Sequence, residues 1–413
     1  MRDRVHPRAA LAVLTALNFL NYIDRSILFA VQPLVQTEFG ASDAQMGMLT
    51  TSFFICYGLT APVLGYIADR HARRPIIVGG ALVWSAATLL TALTWDYRSL
   101  LVRHAIVGLG EASFVATTPS YLADLFPQAK RGRAMSVFFM AIPAGTAMGY
   151  LIGGYFGFTH GWRMPFYIVA APGVVLALAV LAMREPMRGA LDTIRETVER
   201  GTIRGLARNP AYWTATLGLA MTTFALGGLQ VWMPTFLTRL RGMTLLHANL
   251  FFAVITAING VVATLTGGWI ADRLLRRRHD AYYFLSGLTM AVSVPVMLAA
   301  IMITGPAMYP MIFVAEFCLL LNTGPLNAAL VDSVGASIRA LAMAINLIVV
   351  HALGDALSAT LIGYVSDRTH SLLSGFMTAV VAVVLSAAIL LYGKRYAPRA
   401  NQASLPQETG ATA

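Results

Sequence analysis

Twelve apolar stretches of membrane-spanning length follow one another along the chain, and they restrict it to an all-helical membrane protein. A helix needs about 20 apolar residues to cross the hydrocarbon core, where each backbone polar group must be bonded within the protein. The stretches cover residues 10–34, 44–68, 75–95, 98–124, 132–157, 163–183, 211–238, 247–270, 280–303, 308–332, 339–366 and 371–392. Only 12% of the 413 residues are charged, against about 25% in soluble domains. We therefore expect twelve transmembrane helices.

The Lys and Arg residues predict how these spans are oriented. Of the 30, 23 lie in the N-terminal arm, the C-terminal tail and every second loop, whereas the alternate loops hold five. Because basic residues accumulate on the cytoplasmic side, both termini are predicted to be cytoplasmic. The same clusters account for the net charge of +11, so we expect no nucleic-acid partner. Short loops and an Ala- and Arg-rich composition favour a bacterial inner (plasma) membrane.

A ten-residue loop recurs in the two halves of the chain. Residues 65–74 (GYIADRHARR) and 268–277 (GWIADRLLRR) agree at seven of ten positions, and each lies at the inner end of the second span of its half. Such repeats are typical of transporters built from two related halves. We predict a six-helix half at 1–183, a cytoplasmic linker with a short interfacial helix at 184–209, a second six-helix half at 210–393 and a disordered tail at 394–413.

The repeated loop also predicts a gate at the cytoplasmic face. Its recurrent Gly allows close helix approach, and its Asp can cap a helix end and pair with arginines across the halves. A positive-inside topology with a tight turn explains the arginines but not the recurrent Gly and Asp. The predicted gate residues are Gly65, Asp69, Arg70, Arg73, Arg74, Asp272 and Arg273. In both halves the loop resembles the conserved loop of the major facilitator superfamily, which implies the twelve-helix fold of that superfamily.

Ionisable residues inside spans 1 and 4 are the main candidates for function. A charge at the bilayer centre costs about 2.5–3.5 kcal/mol on insertion scales, so such a residue usually faces a cavity or a partner. Span 1 contains Asp24 and Arg25, and Glu111 lies near the middle of span 4. An unpaired carboxylate in a low-dielectric medium is readily neutralised, so Asp24 is a candidate proton carrier. The alternative is a permanently paired Asp24 that fixes span 1 to span 4.

Spans 10 and 11 contain polar side chains that can meet a polar head group. His351 and Asp355 are one helical turn apart, and Glu316 has in span 10 a similar position to Glu111 in span 4. An intramembrane histidine is often bonded only to a neighbouring helix, so a structural role stays open for His351. The candidates for the substrate cavity are Asn21, Tyr22, Glu316, Asn322, His351, Asp355 and Ser358.

Several segments are similar to the Spinster family within that superfamily. They are NYIDR at 21–25, GLGEAS at 108–113, the run from Ala134 through AIPAG at 141–145 to GYLIGG at 149–154, and HALGDALS at 351–358 with LIGYVSDR at 361–368. The resemblance implies proton-linked movement of amphiphilic lipids such as lysophospholipids or sphingoid phosphates. It also implies that Asp24 and Glu111 couple protons to transport.

One position in span 4 departs from the family pattern. The family's arginine stands seven residues before the glutamate, and here His104 fills that position, with Arg103 one residue earlier. His104 and Glu111 share a helix face, whereas Arg103 lies about 80° around the helix. Either Arg103 reaches the same cavity or His104 replaces it and makes the switch more sensitive to pH. The predicted anion-binding or switch residues are therefore Arg103, His104 and Arg25.

Other functions remain as alternatives at this point. A proton-coupled organic-anion symporter or a drug/proton antiporter would have the same fold. A membrane-embedded lipid enzyme would need a nucleophile–base pair or a metal cluster, and the sequence has no H-E-x-x-H or G-x-S-x-G motif. Both cysteines, Cys56 and Cys318, lie in apolar runs, which argues against a disulfide framework or a cysteine metal site. We expect a monomeric transporter without metal or cofactor, whose partners are a small amphiphilic substrate, protons and the lipid bilayer.

Overall fold

The computed structural model describes residues 6–188, 203–335 and 338–398, and most of them are helical. The helices are α1 (Pro7–Phe39), α2 (Asp43–Ala68), α3 (Arg73–Ala92), α4 (Tyr97–Leu125), α5 (Gln128–His160), α6 (Met164–Leu181), α7 (Ile203–Ala207), α8 (Pro210–Arg239), α9 (Leu245–Leu275), α10 (Ala281–Met302), α11 (Met308–Leu320), α12 (Thr323–Asp332), α13 (Arg339–Val350), α14 (Leu357–Thr369) and α15 (Leu372–Gly393). A π-helical turn at His351–Ala356 joins α13 to α14, and a 3-10 turn at Lys394–Tyr396 follows α15. The predicted all-helical fold class is confirmed.

Within the described ranges, eleven helical segments are long and apolar enough to cross a membrane. They correspond to predicted spans 2 to 12, with α11 and α12 forming one segment and α13, the π-turn and α14 another. Helix α1 has 33 residues and is the remaining predicted span, but its middle contains Asn18, Asn21, Asp24 and Arg25 and is less apolar. Residues 189–202, which hold most of the predicted linker, and residues 399–413 of the predicted tail lie outside the described residues.

Span 10 is predicted as one helix, but the structure divides it into α11 and α12. Proline has no backbone N–H, so Pro325 leaves the carbonyl of Leu321 without its helical partner. That carbonyl faces Gly267 of α9, where a Cβ atom would overlap it. The glycine therefore lets α9 pack directly against the backbone at the break.

Small residues allow the helices within each half to approach closely. Along α5, Gly145, Gly149 and Gly153 face α1, and a Cβ atom at each position would lie 2.5–2.9 Å from atoms of that helix. In the other half, α15 packs against α8, α10 and α14. Such spacing of small residues permits close packing where lipid supplies no hydrophobic driving force between helices.

The two halves touch mainly through α2 with α14 and through α5 with α9. A Cβ atom at Gly47 would overlap the carbonyl of Ala359, and the hydroxyl of Thr51 donates to the backbone of the π-turn. Further along the same face of α2, a Cβ atom at Gly58 or Gly65 would have no other atom within 4 Å. Helices α2 and α14 are therefore in contact near the start of α2, and the halves separate towards its end.

We name the two ends of the helical bundle by their loops. The basic end carries the start of α1, the end of α15 and the loops at 69–72, 126–127 and 276–280. The opposite end carries the loops at 40–42, 93–96, 161–163, 240–244, 303–307 and 370–371. The halves are in contact at the opposite end and apart at the basic end. This conformation therefore opens a central space towards the basic end.

Substitution of Gly47 by Ala is expected to disfavour this conformation. The added methyl group would overlap the carbonyl of Ala359, and overpacking of this kind costs about 1–3 kcal/mol. The melting temperature of the purified protein should fall, and the distance between α2 and α14 at the opposite end should increase in spin-label measurements. Gly79→Ala on α3, where a Cβ atom meets nothing within 4 Å, is the matched control. An equal response of both variants would contradict the interpretation.

Candidate functional site

A buried ion pair joins α1 to α4 in the middle of the membrane-spanning region. The Nε atom of Arg25 donates to Oε2 of Glu111 at 2.7 Å. The Glu111 side chain is fully buried, and 12% of the Arg25 side chain is exposed. The side-chain amide of Asn21, one turn before Arg25, lies beside the same carboxylate. The predicted residues Asn21, Arg25 and Glu111 therefore meet at one place.

Aromatic rings surround the guanidinium group of Arg25. Its Cζ atom lies 4.9 Å from the ring centre of Phe53, 5.1 Å from Tyr22, 5.2 Å from Tyr57 and 5.8 Å from Phe54. An aromatic face attracts a cation within about 6 Å, and more strongly where water is excluded. The rings from α1 and α2 thus hold a cation inside the apolar region and leave Glu111 as its only ion-pair partner among the described residues.

Asp24 lies close to this pair but is not part of it. Its side chain is 5% exposed, and its Oδ2 atom accepts a hydrogen bond of 3.4 Å from the hydroxyl of Thr88 on α3. Its Oδ1 atom has no hydrogen-bond partner in the described part of the chain. Neighbouring residues on a helix point about 100° apart, which turns Asp24 away from Arg25. Asp24 therefore lies near Glu111 without bonding to Arg25, whose ion pair among the described residues is with Glu111.

Arg103 and His104 occupy different surroundings. Arg103 points to the opposite end, where it donates to the carbonyl of Leu90 and lies 4.9 Å from the ring of Trp95. His104 is buried, with its ring centre 5.4 Å from that of Phe53. The cation beside Glu111 in this conformation is therefore Arg25. His104 contacts Phe53, and the ring of Phe53 in turn contacts Arg25.

The C-terminal half contributes the other wall of the site. The Nδ1 atom of His351 lies 2.7 Å from Oδ2 of Asp355, one turn further along the π-turn. The His351 ring stacks on Phe54 at 5.2 Å and meets Tyr57 edge-on at 5.7 Å. Since Phe54 and Tyr57 also flank Arg25, these two rings connect the ion pair of one half to the His351–Asp355 pair of the other.

Of the remaining predicted cavity residues, Ser358 lies next to the His351–Asp355 pair, whereas Asn322 and Glu316 lie away from this centre. Ser358 is fully buried, and its hydroxyl donates to the carbonyl of Asp355. Asn322 donates to the carbonyl of Cys318 and accepts from Thr289, so it joins α10 to the break after α11. Glu316 is buried against α9 rather than exposed in the central space.

The predicted gate residues lie at the basic end, and none of them forms an ion pair between the halves within the described ranges. Arg73 is buried and pairs with Asp124 of its own half at 2.7 Å and with Glu185, at the start of the predicted linker, at 3.0 Å. Arg74 donates to the carbonyl of Met183.

The other gate residues are largely exposed. Asp69 caps the end of α2, where Arg188 donates to the backbone carbonyl, and Arg70 lies 3.5 Å from the ring of Tyr66. In the second half Asp272 is exposed and Arg273 lies 5.0 Å from the ring of Trp269. Nearby, the hydrogen-bonded guanidinium of Arg278 holds the pKa of Asp280 below its usual value. The gate prediction therefore concerns a conformation in which the basic end is closed.

The opposite end contains a polar network that the sequence did not reveal. The carboxylate of Asp43, 5% exposed, accepts hydrogen bonds from Arg239 at 2.8 Å, Ser366 at 2.5 Å and Gln36 at 2.6 Å. Asp367 caps the start of α2 by accepting from the backbone N–H groups of Asp43 and Ala44, both at 2.9 Å. These contacts tie α1 and α2 to α8 and α14, so they hold the halves together at this end.

An apolar cavity of about 420 Å³ opens between α1 and α5. Its lining is formed by Ala12, Thr15, Ala16, Phe19, Val137, Met140, Ala141 and Ala144. Its lining on α1 extends from Phe19, about one turn before Tyr22, to Ala12 on the side of the basic end. The volume is within the range of about 300–1,000 Å³ found for ligand pockets.

Comparisons with known proteins agree with this architecture. Residues 14–359 match the family model of the Major Facilitator Superfamily. The chain is 33% identical to protein spinster homolog 1 of Homo sapiens over 91% of this chain and 77% of the human protein. It is 32% identical to protein spinster homolog 1 of Bos taurus over 92% of this chain and 78% of the bovine protein. A crystal structure of a bacterial homolog to human lysosomal transporter Spinster, in an inward-facing and unoccupied conformation, superposes with a TM-score of 0.86 at 24% identity, covering 96% of this chain and 98% of that one.

Proposed function

Since the chain belongs to the Spinster family of the Major Facilitator Superfamily, it is a transporter, and we propose that it couples proton movement to the transport of an amphiphilic, lipid-like substrate by alternating access. The observation that carries the proposal is the Arg25–Glu111 pair, buried beside a second acid, Asp24, where the halves meet. Because the chain belongs to a family of transporters, the alternative of a membrane-embedded lipid enzyme is set aside.

In the proposed mechanism, a proton that binds to Glu111 weakens the ion pair between Glu111 and Arg25. Glu111 binds Arg25 most tightly when it is ionised, because protonation of the carboxylate removes the Coulomb attraction between two opposite charges. Protonation of Glu111 frees the guanidinium, which remains inside the aromatic rings that contact His351. Arg25 can then turn to the ionised Asp24 or to an anionic substrate group. Since the rings belong to α2 and His351 belongs to the other half, this change is transmitted across the boundary between the halves.

An amphiphile matches the shape and polarity of the central space. Arg25, His351 and Asp355 offer charges of both signs to a phosphate or zwitterionic head group. The apolar cavity between α1 and α5, whose lining on α1 ends at Phe19, six residues before Arg25, offers space for an acyl chain. A small organic anion would use the charged centre but leave the cavity unfilled, which distinguishes the symporter alternative from a lipid carrier.

The basic end is proposed to face the cytoplasm of a bacterial cell, because most Lys and Arg residues lie there. In that orientation the conformation described above is inward-facing. The opposite end, held closed by Asp43 and Arg239, would then face the periplasm. We propose that the protein works as a monomer, since each monomer contains both halves of the central site.

Shortening the acyl chain of a lysophospholipid is expected to weaken its binding stepwise. Each buried methylene contributes about 0.8 kcal/mol, so removing two should lower the affinity roughly tenfold. Competition against a labelled long-chain lysophospholipid, in proteoliposomes with an imposed pH gradient, measures this series and the proton dependence together.

Ala144→Leu, which narrows the cavity, should reduce uptake of long chains more than uptake of short chains. Ala171→Leu on α6, the same substitution at another exposed position, is the control. An affinity that does not change with chain length would contradict the lipid proposal and favour the organic-anion alternative.

A further inference from the structure

Glu316 is a buried acid that the mechanism above does not use. Its side chain is 1% exposed, and both carboxylate oxygens accept hydrogen bonds from neutral groups on α9. The hydroxyl of Thr256 donates to Oε1 at 2.7 Å, and the amide of Asn259 donates to Oε2 at 3.0 Å. The carboxyl group is therefore well oriented, but these partners supply no positive charge.

The helices around Glu316 offer no cation at its depth in the membrane. In the described structure no Lys, Arg or His forms an ion pair with Glu316. Helix α10 has no charged residue between Ala281 and Met302, and the charged residues of α8 and α9 lie near the helix ends. The titratable group that faces Glu316 is Tyr150 of α5, a neutral phenol whose hydroxyl donates to the carbonyl of Gln230. A buried carboxyl without a cation is stable when it carries a proton.

The surroundings of Glu316 can accommodate that proton. The Oδ1 atom of Asn259 is buried and accepts no hydrogen bond among the described residues. A protonated Oε1 can donate to the oxygen of Thr256, whose own hydroxyl hydrogen can turn to the backbone carbonyl one turn earlier on α9. No neighbouring side chain has to move for the proton to enter or leave.

The carboxyl group lies next to a contact between the halves. Phe252 is one turn before Thr256 on α9, and its ring lies 5.0 Å from that of Tyr150 on α5. The α5–α9 contact is one of the two main contacts between the halves. Glu316 is therefore bonded, through Thr256, to the helix that forms the α5–α9 contact. A change of charge at Glu316 would act on this contact between the halves.

We propose that Glu316 is a second proton-carrying carboxyl group, located in the C-terminal half, which takes a proton from water in one access state and releases it in the other. This inference rests on the proposed proton coupling and adds a proton site to it. The two sites differ in what binds the carboxylate. At Glu111 the proton competes with Arg25, whereas at Glu316 the other partners are neutral hydrogen-bond donors.

Infrared difference spectra of the purified full-length protein, recorded between acidic and alkaline pH, test the proposal without any substrate. The C=O stretching band of protonated carboxyl groups should be smaller in Glu316→Gln than in the wild type. The part of the band that comes from Asp24 and Glu111 should remain. Glu38→Gln, which removes an acid whose side chain is 42% exposed, serves as the matched control. If Glu316→Gln leaves the pH-dependent band unchanged, Glu316 does not exchange a proton and the proposal is wrong.

A second variant protects the test against a folding defect. Thr256→Val keeps the carboxyl group but removes one of its two hydrogen-bond donors, so the band should persist with a changed midpoint. An unchanged midpoint would contradict the proposal. In proteoliposomes, Glu316→Gln should reduce the protons moved per lysophospholipid, measured from the voltage at which net flux reverses. Absence of any pH-driven uptake by the wild type would refute the proposed function, while the infrared result would still decide whether Glu316 titrates.

Discussion

Proteoliposomes containing Glu111→Gln are expected to lose pH-gradient-driven uptake of lysophospholipid by about 100-fold, while exchange of labelled for unlabelled substrate at equal pH continues. Glutamine is isosteric with glutamate but neither binds nor releases a proton, so the Arg25 pair no longer responds to pH. A 100-fold loss corresponds to about 2.8 kcal/mol of coupling free energy that the pH gradient no longer supplies. The loss should therefore appear in coupled uptake rather than in substrate exchange.

Two arginine substitutions provide the control for this result. Arg25→Gln should reproduce the loss of coupled uptake, because the 2.7 Å contact with Glu111 belongs to Arg25. Arg103→Gln should retain coupled uptake, because Arg103 bonds to the carbonyl of Leu90 and lies on the ring of Trp95. Full proton dependence in Glu111→Gln would refute the coupling role of that residue. A loss in Arg103→Gln but not in Arg25→Gln would assign the switch to span 4.

Much of the fold was predictable because membrane helices are constrained by composition and length. The alternation of apolar runs and basic loops predicted the helices. The four-residue spacing of Gly145, Gly149 and Gly153 is a pattern typical of packing faces, and the structure places these glycines against α1. The spacing of His351 and Asp355 likewise predicted their contact, which forms at 2.7 Å. These features depend on residues close in sequence, where helical geometry alone fixes the distance.

The central site was only partly predictable, because its key contacts join distant parts of the chain. The positions of Asp24, Arg25 and Glu111 marked spans 1 and 4, but helical periodicity does not give the rotation of one helix against another. The sequence named Arg103, His104 and Arg25 as switch residues without choosing among them, and the structure brings Arg25, 86 residues away in the chain, to Glu111. The aromatic rings of α2 gave no signal, since Phe and Tyr are ordinary in a membrane helix.

The π-turn at His351–Ala356 was also hidden in the sequence. Its Gly354 lies against Thr223 of α8, where a Cβ atom would be 2.9 Å from the threonine methyl group. π-turns are frequent at functional sites, and this one widens α13–α14 where His351 meets Phe54. The apolar pattern of span 11 continues through the turn without interruption, so it predicts a single helix.

The second large expected effect concerns the polar network at the opposite end, which holds the two halves together there. Asp43 is the first residue of α2, and its carboxylate collects hydrogen bonds from α1, α8 and α14. Only α1 belongs to the same half as Asp43, so most of these bonds must break before the opposite end can open. Arg239 is 39% exposed, and water screens its contribution. Hydrogen bonds to a charged group contribute about 1.5–3 kcal/mol each, so the network opposes opening of this end.

Asp43→Asn is therefore expected to raise the population open at the opposite end by about tenfold, since a net loss near 1.4 kcal/mol corresponds to that factor. Spin labels introduced by Arg98→Cys in one half and His370→Cys in the other, after replacement of both native cysteines, report the separation as a distance distribution. Glu38→Gln is the matched control, because Glu38 pairs at 2.6 Å with Arg163 at the same end but within one half. The control should leave the distribution unchanged, as its ion pair does not cross the boundary. A shift of equal size in both variants would mean that loss of charge at this end, rather than the contact between halves, governs opening.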